Sequence, residues 1–298
     1  MAKRIHQMTV GQWEAAFPTD DACKAYLTKN RWPLGIACPR CGNAEVGEHG
    51  TRAFHWQCYA CSEKGTSYRF SVLVGTIFEN TKYSMREWFR VIHMMLTSKK
   101  GVSALEIHRV IGTGSYRTAW SMCHRVRAGL ANEDFRKLMG IVEVDETYIG
   151  GKAYNKHGGH SGTGGGTKNK FVVVGAVERK GNVVARVLDR ASHANIMGFV
   201  REVVSTDVSV LATDEHRAYA RLRDEFPVQS VNHGMKQYVV GAVHTNTIEG
   251  FWSLVKRGMV GTFHKVSAKY LPLYIAEFQF RYNNRMNEDI FGEAIRGC

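Results

Sequence analysis

The spacing of hydrophobic and polar residues changes character near residue 140. Before that point, serine-led capping patterns precede apolar positions three and four residues apart, which is the spacing of amphipathic helices. One such helix is expected to begin at residues 84–87, and a second is expected over 103–111. A glycine-containing turn at 112–115 then leads into a longer helix over 116–130.

A short helix, a glycine turn and a longer helix form the outline of a helix-turn-helix, a common DNA-binding unit. On the longer helix, Arg117, Arg125 and Arg127 are expected to reach phosphates or base edges. The alternative is a basic, solvated helix that packs against its neighbours through Trp120 and Val126. The pattern alone leaves both interpretations open.

After residue 140 the pattern predicts strands and an α/β layered domain. The first strand has Asp145 at its centre, a later strand ends at Asp214, and a later helix carries Glu249. The glycine-rich stretch 158–166 lacks the spacing of a phosphate-binding loop, so we exclude a nucleotide-binding role for it. The predicted elements are strand 141–149, the hairpin strands 171–178 and 182–189, helix 193–204, strand 208–213, helix 217–226, a short strand, and helix 245–256.

Four of the seven cysteines form two Cys-x-x-Cys pairs, with sixteen residues between them. Cys38, Cys41, Cys58 and Cys61 thus have the spacing of a structural zinc site with four thiolates. Residues 54–58 alternate as a strand does, which predicts a zinc ribbon of short hairpins. The alternative of two disulfides is disfavoured because the cysteine count is odd and no export signal is visible.

The chain is strongly basic. Its 298 residues have a net charge of +13 at neutral pH, and the first 139 residues carry 20 basic and 11 acidic side chains. Such an excess favours a polyanionic partner, of which DNA is the one suggested by the ribbon and the helices. No apolar run is long enough for a membrane span, so we expect a cytoplasmic protein with no membrane partner.

Three carboxylates in the second half stand out by position, because a charge in a central strand needs a partner or a metal. Asp145, Asp214 and Glu249 supply the hard oxygen ligands that Mg²⁺ or Mn²⁺ prefers. Two such cations held by carboxylates are a common device for displacement at phosphorus. Each carboxylate taken singly is more simply explained as a surface residue or a helix cap.

Three motifs resemble one family: V-D-E-T-Y-I-G-G-K at 144–152, T-D-E-H-R-A-Y at 213–219, and H-T-N-T-I-E-G-F-W-S-L-V-K-R at 244–257. Together with the ribbon and G-T-I-F-E-N-T-K at 75–82, they are similar to zinc-ribbon bacterial insertion-sequence transposases of the DDE superfamily, the ISXO-like group. The resemblance implies an RNase H-like catalytic domain. It implies that Asp145, Asp214 and Glu249 are the catalytic, metal-binding triad and that Lys256 contacts DNA.

The resemblance implies an enzyme that binds the terminal inverted repeats of its element, cuts there with Mg²⁺ or Mn²⁺, and joins the ends to target DNA. Zinc would be structural, and cutting of paired ends favours a homo-oligomer. Asn246 competes with Glu249 as the third ligand, and Glu143 has either a supporting role, an exposed position or a salt bridge. The expected regions are 1–33, an N-terminal helical segment; 34–80, the ribbon; 81–139, the helical DNA-binding region; and 140–298, the catalytic domain.

Two other functions are open. One is a DNA-binding regulator with an inactive RNase H-like fold, which the intact set of carboxylates disfavours. The other is a nuclease or resolvase without strand transfer, which the basic N-terminal half disfavours.

Overall fold

The computed structural model describes residues 8–63, 66–131, 136–150, 170–214, 217–231 and 244–298. The glycine-rich stretch 158–166 lies outside the described residues. The chain divides into two compact units, of which the first comprises Met1–Ala131 with Met286–Cys298 and the second Asn132–Arg285. The return of the C-terminal segment to the first unit was not anticipated in the boundaries expected from the sequence.

The first unit contains a small antiparallel sheet with the strand order β1-β2-β3. On β2, Trp56 is buried and packs edge-on against Trp32, while Phe70 of β3 lies beside both rings. This sheet has the hairpin form expected of a ribbon. The strands are β1 Val46–Glu48, β2 His55–Glu63 and β3 Thr66–Ser71.

Helices make up the rest of the first unit, around a core of aromatic rings. Phe17, Phe89 and Phe291 contact one another with ring centroids 5.3–5.8 Å apart, so the C-terminal helix is part of this core. The helices are α1 Val10–Ala16, α2 Asp20–Arg31, α3 Met85–Thr97, α4 Ala104–Ile111, α5 Tyr116–Gly129 and, near the C-terminus, α9 Ile290–Gly297.

The helix caps predicted from the sequence are present. Ser84 and Glu87 form a reciprocal capping box at the start of α3, and the Ser103 hydroxyl accepts a hydrogen bond from the Glu106 amide at the start of α4. Gly112 follows the last residue of α4 and adopts the left-handed conformation with φ 73°, which ends the helix. The sequence of short helix, glycine turn and longer helix is therefore confirmed as local structure.

The second unit is built on a mixed five-stranded sheet with the order β6-β5-β4-β7-β8. Strand β4 pairs antiparallel with β5, which pairs antiparallel with β6, whereas β7 is parallel to both β4 and β8. The predicted α/β domain is confirmed at this level. The elements are β4 Ile141–Ile149, β5 Phe171–Glu178, β6 Val183–Leu188, α6 His193–Val203, β7 Val210–Asp214, a 3-10 helix Arg217–Asp224, β8 Val228–Val231, α7 Asn246–Gly258, a π-helical turn Met259–Phe263, and α8 Leu271–Asn283.

Alternating residues of the strands pack into two separate hydrophobic cores, one on each face of the sheet. Val142 and Val144 of β4 pack with α6 and the 3-10 helix on one face. On the other face, Val173 and Val177 of β5 pack with α7 and α8 through residues such as Trp252. Helices therefore cover both faces of the sheet, and a side chain on β4 faces one core or the other according to its parity.

Candidate functional site

Strand β4 presents Glu143 and Asp145 to the face of the sheet that α7 and α8 cover. Both residues have the opposite parity to Val142 and Val144, which face α6. In the register of the sheet, Asp145 lies opposite Gly175 and Glu143 opposite Val177, a member of the α7 core. The strand that the sequence predicts for Asp145 is therefore present, and the pleat of the strand sets the face to which the Asp145 side chain points.

Asp214 lies beside Asp145 because the two strands that carry them are parallel neighbours. Glu143 of β4 is in register with Ala212 of β7. Asp145 and Asp214 each follow two residues later, so both project from the same face at the same level. Both are partly buried, and Asp214 is the last residue of its strand.

Helix α7 brings Glu249 to this face. It begins at Asn246 after Thr245, whose hydroxyl donates a hydrogen bond of 3.0 Å to Oε1 of Glu249. Asn246 and Glu249 are both exposed and three residues apart, so they share one side of the helix. The buried side of α7 is held on the sheet by Ile248 and Trp252, which lie over Gly175.

Negative charge is concentrated around Asp145. Burial raises the pKa of this carboxyl to about 7, and the neighbouring carboxylates of Glu146, Asp214 and Glu249 add to the rise. Three side chains that lie far apart in sequence thus interact electrostatically in the fold. A bound cation would relieve their repulsion and favour the ionised form of Asp145.

The carboxylates do not form a compact cage for one ion. Within the described ranges, the four cysteines are the only group of three or more His, Cys, Asp or Glu side chains whose ligand atoms all lie within 4.8 Å of one another. Carboxylate oxygens are nonetheless the donors that hard divalent cations prefer, and the concentrated negative charge would favour their binding.

Glu146 projects from the face of β4 opposite to Asp145, where it contacts Tyr219. Sequence reasoning missed this contact. The Tyr219 side chain is buried, and its hydroxyl donates a hydrogen bond to Glu146. Burial and the Glu146 carboxylate raise the pKa of Tyr219, which keeps the hydroxyl protonated and able to donate. Tyr219 is the last residue of the motif T-D-E-H-R-A-Y at 213–219, and this position was the only indication of its role in the sequence.

Glu143 is completely buried and ion-paired. Its Oε1 lies 2.7 Å from Nε of Arg179 and 3.3 Å from Nδ1 of His244. The salt-bridge interpretation of Glu143 is confirmed, and an exposed position on the strand is excluded. Arg179 was not anticipated as its partner, because the arginine follows β5 and the pairing depends on the sheet.

The four cysteines of the ribbon converge as their spacing predicts. The sulfurs of Cys38 and Cys61 are 3.9 Å apart and those of Cys41 and Cys58 are 3.7 Å apart. A tetrahedral zinc with Zn–S bonds of about 2.3 Å places its sulfurs about 3.8 Å apart, whereas a disulfide requires about 2 Å. The arrangement therefore fits one zinc ion and excludes two disulfides.

The backbone turn that carries Cys38 and Cys41 shows how the sequence brings two of the sulfurs together. The Gly42 amide donates a hydrogen bond of 2.8 Å to the Cys38 carbonyl, and Gly42 adopts φ 75° to close the turn. The backbone amide of Asn43 and the neighbouring thiols lower the pKa of Cys41 to about 7. The same contacts between thiols, with burial, raise the pKa of Cys61 to about 12, so a shared cation would be needed to keep all four cysteines as thiolates.

Comparisons with known proteins identify the family. The model of the ISXO2-like transposase domain matches residues 137–283, and that of the transposase zinc-ribbon domain matches residues 18–64. The chain is also 30% identical over 270 residues to an uncharacterized protein in the transposable element ISH50 of Halobacterium salinarum, covering 86% of this chain and 88% of the relative. The chain belongs to the ISXO2-like transposase family.

The two matched domains contain the two candidate sites of this transposase-family chain. The first carries all three carboxylates and the second all four cysteines. Among solved structures, a chain of the simian T-cell lymphotropic virus intasome in complex with PP2A regulatory subunit B56 gamma is 14% identical and covers 60% of this chain and 68% of that chain. The TM-score of 0.30 is too low for this likeness to carry an argument.

The basic residues predicted to bind DNA occupy different environments. Arg117, near the start of α5, is exposed, whereas the guanidinium of Arg125 donates a hydrogen bond of 2.8 Å to the Glu79 carbonyl and lies over Trp88. Arg127 is 1% exposed and offers no surface to a phosphate. The three arginines therefore do not share one exposed face. Lys256 is exposed two helical turns after Glu249 on α7.

None of the helices in the described ranges is long and apolar enough to cross a membrane.

Proposed function

We propose that this transposase-family member is an active DDE transposase. It binds the terminal inverted repeats of its element, cuts the DNA there, and joins the 3′-hydroxyl ends to target DNA. The observation that carries the proposal is the position of Asp145 and Asp214 at the same level of two neighbouring parallel strands, beside helix α7, which carries Glu249. Burial and the nearby carboxylates disfavour the ionised form of Asp145, a bound cation would favour it, and phosphodiester chemistry uses such cations.

In this proposal Asp145, Asp214 and Glu249 hold Mg²⁺ or Mn²⁺. When bound, the cations supply an activated water or 3′-hydroxyl and stabilise the leaving oxygen. Lys256 positions the DNA near the cut through its charge. Asn246 is the competing third ligand, since it shares the exposed side of α7. Glu249 is preferred because it carries a formal charge.

The proposal also assigns roles to the sheet, to helices α4 and α5, and to the zinc ribbon. The mixed sheet with helices on both faces supports an RNase H-like catalytic domain. Helices α4 and α5 act as the DNA-reading unit, with Arg117 as the phosphate contact, while Arg125 lies over Trp88 of α3 and Arg127 is buried. The zinc ion is structural. Cutting two ends as a pair favours a homo-oligomer on the DNA.

Incubation of the purified protein with labelled element-end DNA and Mg²⁺ tests the proposal. A transposase yields bound, cut and joined DNA. A regulator with an inactive catalytic fold yields binding alone, and a nuclease or resolvase without strand transfer yields cut DNA with no joined product. Either of the last two results would contradict the proposal.

A further inference from the structure

A buried carboxylate takes the place of a side-chain cap at the start of α7. Oε2 of Glu143 accepts hydrogen bonds from the backbone amides of Thr247 and Ile248, at 2.8 and 3.0 Å. Its Oε1 accepts one from the Thr247 hydroxyl at 2.8 Å. Thr245 makes no side-chain cap because its hydroxyl is directed to Glu249. Glu143 therefore satisfies first-turn amides and complements the positive end of the helix dipole.

Arg179 connects the same carboxylate to the segment that enters the helix. Its Nε donates to Oε1 of Glu143 at 2.7 Å, and its Nη2 donates to the carbonyl of His244 at 2.9 Å. Its backbone amide donates to the carbonyl of Ile141, the first residue of β4, at 3.0 Å. The two charged side chains thus join β4, the end of β5 and the start of α7.

A buried ion pair is a poor means of stabilising a fold, because removing two charges from water offsets most of their attraction. Its hydrogen bonds are nevertheless directional and fix the geometry of the groups that they join. Glu143 lies two residues before Asp145 on the same face of β4. The helix amides that it holds lie one and two residues before Glu249. The Glu143–Arg179 pair therefore connects the strand that carries Asp145 to the first turn of the helix that carries Glu249.

We infer that Glu143 and Arg179 are positioning residues that fix α7, and with it Glu249 and Asn246, relative to Asp145. They touch neither DNA nor a reacting atom, and act by holding the backbone that carries the third ligand. The inference rests on the proposed function, because it gives the ion pair a role in the same site. Nothing in the family resemblance assigned a role to Arg179.

The variant that separates positioning from folding is Glu143→Leu with Arg179→Met. Replacing both members of a buried ion pair with apolar residues of similar size is often neutral for stability, whereas removing one member strands a charge. The double variant therefore keeps the core filled and strands no charge, while the Thr247 and Ile248 amides lose their acceptor and the directional link to α7 is removed. Glu143→Gln is the second variant, since it keeps one carbonyl oxygen for the helix amides but loses the charge facing Arg179.

A matched control exists in the same core layer. Glu277 and Arg281 on α8 also form a buried pair, with Oε1 and Nη2 3.5 Å apart and the Glu277 side chain inaccessible. The corresponding Glu277→Leu, Arg281→Met variant removes the same two charges from a helix that carries no candidate ligand. The control therefore shows what removal of a buried ion pair does to this unit when the link to α7 is left in place.

Two readouts test the inference independently of catalysis. Hydrogen exchange of the Thr247 and Ile248 amides should accelerate in the Glu143→Leu, Arg179→Met variant and remain at the wild-type rate in the control. Mn²⁺ binding, measured by titration of the zinc-loaded protein after Mg²⁺ and Mn²⁺ have been removed, should weaken about 10- to 100-fold in the first variant only, as expected when supporting residues of a metal site are removed. Glu143→Gln should give a smaller loss in the same direction.

Cutting of element-end DNA at saturating Mn²⁺ should fall by about a hundredfold in the Glu143→Leu, Arg179→Met variant, since a displacement of about 1 Å is enough for such a loss. If this variant exchanges its amides and binds Mn²⁺ as the control does, the inference is wrong. If the wild type binds Mn²⁺ but cuts no DNA, the proposed function fails, and the Mn²⁺ comparison still decides whether the pair positions the helix.

Discussion

Replacing Gly175 with alanine should push α7 away from the sheet. A Cβ on Gly175 would lie 2.7 Å from Cζ2 and 2.9 Å from Cη2 of Trp252, and 3.1 Å from Cδ1 of Ile248. Ordinary carbon–carbon contacts are about 3.5–4.0 Å, so the indole ring must retreat by about 0.8 Å or more. Both contacting side chains belong to α7, and the strain therefore acts on the helix that carries Glu249.

The expected size of the effect follows from these contacts. Overpacking a filled core destabilises by about 1–3 kcal/mol, whereas replacing glycine with alanine in a strand stabilises by about 0.5–1 kcal/mol. The net loss in the free energy of unfolding should be about 1–2 kcal/mol. A helix shift approaching 1 Å should also slow cutting of element-end DNA by about a hundredfold at saturating Mg²⁺.

Urea unfolding and single-turnover cutting measure the two effects. Gly198→Ala is the matched control, because a Cβ there meets nothing within 4 Å and the residue lies on α6, so it should stabilise by up to about 1 kcal/mol. Trp252→Phe in the Gly175→Ala background removes the clashing part of the indole and should recover part of the rate. If Gly175→Ala is as stable and as active as the wild type, the packing argument is wrong.

Three further predictions concern the other parts of the molecule. Replacing Cys38 and Cys41 with serine should remove the zinc, measured by elemental analysis, and weaken end-DNA binding, since the thiolates supply the folding energy of the ribbon; a zinc-free wild type with full binding would contradict this. Arg117→Ala should lower the salt slope of DNA binding by about 0.9, and equal slopes for wild type and variant would exclude Arg117 from the DNA interface. Arg127→Ala should instead lower the free energy of unfolding by about 2 kcal/mol, because Arg127 is buried. Because the pKa of Asp145 is raised to about 7, the zinc-loaded protein without Mg²⁺ should lose stability as pH rises from about 4 through 7. Asp145→Asn should therefore be more stable than wild type at pH 8 by about 2–4 kcal/mol but not at pH 4. Excess Mg²⁺ should stabilise only the wild type, and an equal response of both proteins would contradict the metal assignment.

Local patterns predicted much of the fold. The caps of α3 and α4, the left-handed Gly112, the hairpin strands of the sheet and the convergence of the four cysteines all depend on residues close together in the chain. Such features are determined by capping hydrogen bonds, backbone conformation and ligand spacing, which a single sequence displays. The three carboxylates stood out by their positions in the predicted strands and helix, but their grouping into one site was implied by the motif resemblance, because their proximity depends on strand order.

Features that depend on distant contacts were missed. The Glu143–Arg179 pair depends on the antiparallel register of β4 and β5, and the burial of Arg127 depends on how α5 packs in the first unit. An arginine in a basic helix has the same sequence signal whether it faces solvent or the core. The packing of the C-terminal segment into the first unit similarly depends on Phe291, whose aromatic partners lie more than 200 residues earlier.

The most direct test of the central claim is the cutting and joining of element-end DNA by four single variants. Asp145→Asn, Asp214→Asn and Glu249→Gln should each bind the DNA nearly as the wild type does but lose about a thousandfold or more in cutting rate and form no joined product, because each carboxylate holds a cation needed at the phosphate. Asn246→Ala should retain activity. If Asn246→Ala is inactive while Glu249→Gln is active, Asn246 is the third ligand. Full activity in all three carboxylate variants would contradict the assignment of this chain as a DDE transposase.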